Sequence, residues 1–150
     1  MSNLPNAITD EVCNLVSEIE NLTFLDISFA TKITDTGLKF FVGKHRPIRQ
    51  LYVNGLRNIT AAGFVQLIET CTASLKILEA GFMDQDQMTG AMCLPISHAF
   101  ELQELDLTGN SNVADDGVTQ LAKGERRNEE LRVNEIIGLP RLRVLKLGGL

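Results

Sequence analysis

The sequence predicts an α/β solenoid, in which parallel strands line one side of a stacked structure and helices line the other. Three observations predict it. A short apolar pattern recurs along the chain, a glycine recurs at a constant distance after it, and apolar residues at helical spacing follow the glycine. With 150 residues the chain is long enough to bury a sizeable core, and we expect residues 1–150 to form a single domain.

Five segments share the pattern apolar-x-x-Leu-x-apolar, and each predicts one strand. They are LTFLDIS from Leu22, IRQLYVN from Ile48, LKILEAG from Leu75, LQELDLT from Leu102 and LRVLKLG from Leu142. Successive segments start 26, 27, 27 and 40 residues apart. The third copy is the weakest, because Ala80 occupies its last apolar position.

A glycine stands fifteen positions after each of the first four starts. These residues are Gly37, Gly63, Gly90 and Gly117. Apolar residues at helical spacing follow, for example Leu38 and Phe41, so each glycine lies in the first turn of a predicted helix. Because glycine costs about 1 kcal/mol there relative to alanine, we infer that stacked repeats approach closely at this position and would collide with a Cβ. Thr34 or Asp35 could cap the helix that follows, and we favour Asp35 as the cap.

The repeats divide the chain into units. We expect a half repeat that caps the N-terminus, four full repeats and a last strand, with boundaries at 8–21, 22–47, 48–74, 75–101, 102–141 and 142–150. Pro95 should shorten the helix of the third repeat. Residues 124–137 are extra sequence within the fourth repeat, and we expect an added helical excursion there. It is either a solvated insertion or a docking element.

The run ITDTGL at 33–38 recurs as ITAAGF and VADDGV. With the period near 26, it resembles the cysteine-containing subtype of leucine-rich repeats, best known from F-box/LRR ubiquitin-ligase substrate receptors and their relatives without an F-box. The family pattern is roughly LxxLxLxxCxxITDxGLxxLaxxC, and the match runs from about Ile8 to Leu150. The resemblance implies about 4.5 repeats of ~26 residues, with strands on the concave face and helices on the convex face.

The chain departs from this family at the cysteine that follows the strand. Its place is taken by Ala30, Leu56, Met83 and Asn110. The resemblance implies a role in recognising a substrate or partner. Because no F-box-like helical segment precedes the repeats in this sequence, we do not expect direct attachment to a ubiquitin-ligase adaptor.

Alternation along each strand points every second residue out of the concave face, so residues of successive repeats form columns. The columns are Phe24, Gln50, Ile77, Glu104, Val144; Asp26, Tyr52, Glu79, Asp106, Lys146; and Ser28, Asn54, Gly81, Thr108, Gly148. The candidate partner-binding residues are Phe24, Asp26, Gln50, Tyr52, Ile77, Glu79, Glu104 and Asp106. Large apolar side chains beside acids are typical of a protein-binding patch. The alternative is that Phe24 and Ile77 only cover the sheet and the acids are solvated.

Composition and motifs favour a non-catalytic protein. The net charge of −5 disfavours nucleic acid as the main partner, and no phosphate-binding, dinucleotide-binding, zinc-protease or serine-hydrolase motif occurs. We expect Cys13, Cys71 and Cys93 to be buried free thiols, and His45 and His98 to lie at the surface or between repeats. We therefore expect no enzyme activity, no cofactor and no metal.

Two functions remain open. One is a non-catalytic module that binds protein partners, and the other is a structural subunit of a large assembly. The second is suggested by the last strand at 142–150, whose open edge could pair with a partner or with a second copy. Since the apolar runs are too short to cross a bilayer and no targeting signal is visible, we expect no membrane insertion and a cytoplasmic or nuclear location.

Overall fold

The computed structural model describes residues 7–44, 46–83, 89–123, 125–128, 133–136 and 138–149. The strands are β1 (Phe24–Asp26), β2 (Gln50–Tyr52), β3 (Ile77–Glu79), β4 (Glu104–Asp106), β5 (Glu125–Asn128), β6 (Val133–Ile136) and β7 (Val144–Lys146). The α-helices are α1 (Asp10–Val16), α2 (Asp35–Lys39), α3 (Ala61–Cys71), α4 (Cys93–Ser97) and α5 (Ala114–Ala122), and a 3-10 turn at Gly90–Met92 precedes α4.

Five strands form one parallel sheet in the order β1-β2-β3-β4-β7, with the helices as connections. Every strand pairs with its neighbour without a register shift, so that Leu25 aligns with Leu51 and, through the sheet, with Leu145. The residues that the sequence places in one outward column are therefore adjacent across neighbouring strands. Each such column forms one row across the sheet. The predicted α/β leucine-rich-repeat solenoid is confirmed.

The core lies between the sheet and the helices. Inward-facing strand residues are buried, and the helices cover them with apolar side chains such as Phe41, Phe64 and Leu67. The inward-facing leucine is buried on β1 to β4 but not on β7, where Leu145 is 43% exposed. The three cysteines Cys13, Cys71 and Cys93 are buried and free, as expected.

The constant position of the glycines within the repeats has the predicted cause. A Cβ on Gly37 would overlap the carboxylate of Asp10, and a Cβ on Gly63 would overlap that of Asp35. A Cβ on Gly117 would lie 3.0 Å from the Cα of Gly90 in the preceding repeat. The helix starts of adjacent repeats are thus too close for a side chain at this position.

The predicted capping role of Asp35 is wrong. The N-cap of α2 is Thr34, whose hydroxyl accepts a hydrogen bond from the backbone N–H of Thr36 at 3.2 Å. Asp35 instead reaches the following repeat, where it accepts hydrogen bonds from Thr60. Asp35 is the first residue of α2, one position after the N-cap. Its carboxylate therefore points along the stack to the N-terminus of the helix in the next repeat.

Two further regions depart from the regular repeat. The helical excursion predicted for 124–137 is wrong, since β5 and β6 pair as an antiparallel ribbon with Glu125 opposite Ile136. The β-branched residues Val133 and Ile136 favour strand over helix. In the third repeat, α4 has five residues whereas α3 has eleven. Pro95 lies in its first turn, where the missing N–H is tolerated.

Candidate protein-binding surface

All eight candidate residues lie on β1 to β4 and face away from the core. They alternate along each strand with buried leucines, and the parallel register places them in two adjacent rows. We call the surface formed by Phe24, Asp26, Gln50, Tyr52, Ile77, Glu79, Glu104 and Asp106 the concave face. Phe24 is the most exposed of its apolar members, with 51% of its surface accessible.

An aromatic pair lies at the β1 side of the concave face. The ring centroids of Phe24 and Tyr52 are 5.4 Å apart, with the ring planes tilted by 40°. These residues are diagonal neighbours, since Phe24 aligns with Gln50 and Tyr52 aligns with Asp26. Such pairs stabilise adjacent strands. Half of the Phe24 surface nevertheless stays in water, where a partner could cover it.

The acids of the concave face differ in their partners. Asp106 forms an ion pair with Lys146 at 3.2 Å and also accepts the backbone N–H of Thr108 at 2.9 Å. Burial raises the pKa of Asp106, but the hydrogen bonds from Thr108 and Lys146 outweigh burial and the net pKa is lowered. The negative charge of Asp106 is therefore balanced by the positive charge of Lys146 within the sheet.

Asp26 and Glu79 are held in place but carry no cation among the described residues. Asp26 accepts the backbone N–H of Ser28 at 3.0 Å, and Glu79 accepts the side-chain amide of Asn54 at 3.1 Å. Neither these two acids nor Glu104 forms an ion pair with a described lysine or arginine. Their negative charge is therefore available to a partner.

Tyr52 lies between these carboxylates. Its neighbours in the same row are Asp26 on β1 and Glu79 on β3. Desolvation raises the pKa of Tyr52, and the negative charges of Glu79, Glu104 and Asp26 raise it further. The hydroxyl group therefore remains protonated at neutral pH, in a negative electrostatic environment.

Two exposed aromatic residues were not identified from the sequence. Phe29 and Phe82 have φ of 59° and 54°, a left-handed conformation that is unusual for a bulky side chain, and are 52% and 56% exposed. Both follow their strand by three residues, and glycines with positive φ occupy the same position in the other repeats (Gly55, Gly109, Gly149). The alternation of phenylalanine and glycine seven residues after each strand motif begins was the available signal.

Each of these rings covers the glycine of the next repeat. A Cβ on Gly55 would lie 2.6 Å from Cε1 of Phe29, and a Cβ on Gly109 would lie 2.5 Å from Cδ1 of Phe82. Phe29 and Phe82 therefore pack on backbone with one side and expose the other side to water. They form an aromatic margin at the carboxyl ends of β1 and β3.

An apolar cavity of about 260 Å³ adjoins the concave face where α1 meets β1. Its lining includes Val12, Cys13 and Val16 from α1, together with Phe24 and Leu25 from β1. Burial raises the pKa of Cys13 to about 11, with a further contribution from Asp10. The thiol is therefore protonated at neutral pH and acts as an apolar part of the wall.

Metal and membrane sites find no support in the described part of the chain. It contains no group of three or more histidine, cysteine, aspartate or glutamate side chains arranged to hold a metal ion. Its helices are also too short or too polar to cross a bilayer. His98 is exposed with its ring 6.4 Å from that of Phe100, and His45 lies outside the described residues.

Comparison with protein families agrees with this geometry. Residues 19–42 and 100–122 each match a family model described as Leucine Rich repeat. The two matches cover the first strand with α2 and the fourth strand with α5, so they fall on the same structural unit. The fold and the two matches together define a leucine-rich-repeat solenoid. None of the curated proteins compared with the chain matches it significantly.

Proposed function

We propose that this protein is a non-catalytic interaction module whose protein partner binds the concave face. The observation that supports it most directly is the Phe24–Tyr52 pair, which is partly exposed beside carboxylates that form no ion pair with a described lysine or arginine. Aromatic residues supply much of the binding energy at protein interfaces. Leucine-rich repeats generally mediate protein–protein interaction, which supports the same conclusion.

The finer proposal is recognition of a protein substrate, as in the F-box/LRR receptors that the ITDTGL motif resembles. It rests on that sequence resemblance. The broader proposal, an interaction module, does not depend on a ubiquitin ligase. Protein is favoured over nucleic acid because the net charge is −5 and the concave face has more acids than bases.

Affinity purification with face-specific variants tests the proposal. The bait chains are the wild type, the double variant Phe24→Ala/Tyr52→Ala and the control Leu94→Ala, which removes an exposed apolar side chain from α4 on the convex side. We expect the wild type and the control to retain the same proteins and the double variant to lose them. Retention of every partner by the double variant would refute binding at the concave face.

A structural subunit is the second candidate, and the exposure of Leu145 favours it. This leucine aligns with Leu105 across β4 and β7 but is 43% exposed, and Val144 beside it is also exposed. Among the described strands of the sheet, β7 is paired on one side only. A neighbouring chain or a second copy that adds to this edge would bury Leu145.

Sedimentation equilibrium separates this candidate from the first. If the edge of β7 pairs, we expect a concentration-dependent mass that Leu145→Glu reduces to that of a monomer. The Phe24→Ala/Tyr52→Ala variant should still associate, because it leaves β7 intact. A wild-type monomer at all concentrations would argue against self-association and leave only pairing with a different chain.

A further inference from the structure

We infer that the partner presents a cationic segment to the concave face, with an arginine or lysine side chain over Tyr52 between Asp26 and Glu79. This inference rests on the proposed function and adds the chemistry of the partner. The segment also carries an apolar side chain, which contacts Phe24 and Ile77. The surface is thus specific for a basic side chain next to an apolar one.

The register places the three groups that would surround the cation. Asp26, Tyr52 and Glu79 occupy the same row of β1, β2 and β3. Adjacent strands lie ~4.8 Å apart, so Asp26 and Glu79 lie on the two strands that flank Tyr52, one on each side. A guanidinium or ammonium group over the ring would therefore be within reach of both carboxylates, and would gain a cation–π contact as well.

Charge complementarity specifies the sign of the partner. The row through Tyr52 contains three acids and one base, Lys146, and that base is paired with Asp106. Arg49, Lys76 and Arg143 lie just before β2, β3 and β7, outside the two rows of the concave face, and none of them forms an ion pair with a described acid. The acids around Tyr52 thus keep a net negative charge that a cationic segment would neutralise.

The acids are also preorganised for a ligand. One oxygen of Asp26 is held by the Ser28 N–H, and one oxygen of Glu79 by the Asn54 amide. These bonds restrict the side chains, so little further conformational entropy is lost on binding. Each carboxylate retains a second oxygen that can accept a hydrogen bond from the cation.

Tyr52 gives a direct readout, because it is the only tyrosine and the chain has no tryptophan. Its intrinsic fluorescence can be followed while the full chain is titrated with defined peptides. The probe is acetyl-Leu-Arg-Leu-Arg-Leu-amide. The matched probes replace both arginines with citrulline, which has the same shape without the charge, or with glutamate.

We expect the arginine peptide to change the Tyr52 fluorescence saturably, and the citrulline peptide to bind at least ~10-fold more weakly. Asp26→Asn and Glu79→Gln should each weaken the arginine peptide about 10-fold, since both keep the shape and lose the charge. Asp115→Asn is the matched control and should change the affinity less than about 2-fold, because Asp115 is exposed on α5 and lies outside the concave face. Equal urea midpoints will show that the variants are folded.

The outcomes separate this inference from the proposed function. If the citrulline peptide binds as tightly as the arginine peptide, the cationic chemistry is wrong but the concave face still binds protein segments. If Asp115→Asn weakens binding as much as Glu79→Gln, the attraction is a general charge effect and the site around Tyr52 is refuted. If none of the peptides changes the fluorescence up to millimolar concentration, the cationic inference fails. Retention of partners by the wild type but not by Phe24→Ala/Tyr52→Ala would then still support the proposed function.

Discussion

Asp35 in the first turn of α2 accepts two hydrogen bonds from Thr60 of the following repeat. The backbone N–H of Thr60 donates at 2.8 Å and its hydroxyl at 2.6 Å. Asp10 makes the same pair of bonds with Thr34 one repeat earlier, at 2.9 and 2.7 Å. Since Thr34 and Thr60 are the N-caps of α2 and α3, each aspartate ties the start of one helix to the start of the next.

Removal of this link should destabilise the fold. We expect Asp35→Ala to lower the free energy of unfolding by about 1–2 kcal/mol, because two hydrogen bonds to the N-cap of α3 are lost. Asp115→Ala is the control, since Asp115 also lies in the first turn of a helix but is exposed on α5. Urea unfolding followed by circular dichroism measures both variants. Equal destabilisation by the two would show that the effect comes from the helix dipole and not from the link.

The glycine beside this link should tolerate no larger residue. Gly63→Val places a side chain on the Asp35 carboxylate, so we expect a loss of more than about 2 kcal/mol, above the ~1 kcal/mol range of helix propensity. Ala62→Val adds the same side chain at the exposed neighbouring position of α3 and should cost less than about 1 kcal/mol. Thermal or urea unfolding compares the two. If Gly63→Val is as stable as Ala62→Val, the close approach of the repeats does not explain the glycine.

The cysteines should be unreactive while the chain is folded. Burial raises the pKa of Cys71 and of Cys93 to about 12, so neither thiol ionises near pH 8. We expect a thiol reagent to modify them only when urea unfolds the chain. Rapid labelling of all three cysteines in the native state would contradict the buried positions.

The same thiols should make stability depend on alkaline pH. Their folded pKa lies above the ordinary value of 9.0, so the folded state keeps protons that the unfolded state releases. These thiols therefore leave the free energy of unfolding unchanged below pH 9, and they lower it as the pH rises from 9 towards 12. Urea midpoints between pH 7 and 11 measure this slope, and Cys71→Ala should make it shallower.

Tyr52 should titrate above the ordinary tyrosine pKa of 10.0. Desolvation is the largest cause, so Glu79→Gln should lower its pKa only part of the way back, and Asp115→Ala on α5 should leave it unchanged. Absorbance at about 295 nm reports tyrosinate, and Tyr52 is the only tyrosine in the chain. An unchanged pKa in Glu79→Gln would show that this carboxylate does not act on the ring.

Repetition made the concave face predictable from the sequence. Contacts made by individual side chains were not predictable in this way. The period and the alternation of Leu25 and Leu51 with outward residues were sufficient to align Tyr52 with Asp26 and Glu79. The partner of Asp35 depends on the direction of one side chain, which the residue pattern does not contain. Phe29 and Phe82 were missed because phenylalanine rarely adopts a positive φ, and the only signal was that phenylalanine shares one repeat position with glycine.

The aspartate links also imply an order of opening. Asp10 and Asp35 join the first repeats, whereas Ala61 stands at the corresponding position of α3 and has no carboxylate to offer the next repeat. In a stack where each repeat contacts only its neighbours, fluctuations begin where the junctions are weakest. Amide hydrogens of β4 and β7 should therefore exchange faster than those of β1 and β2. The strands that carry Phe24 and Tyr52 would remain paired while the far side of the stack opens and closes.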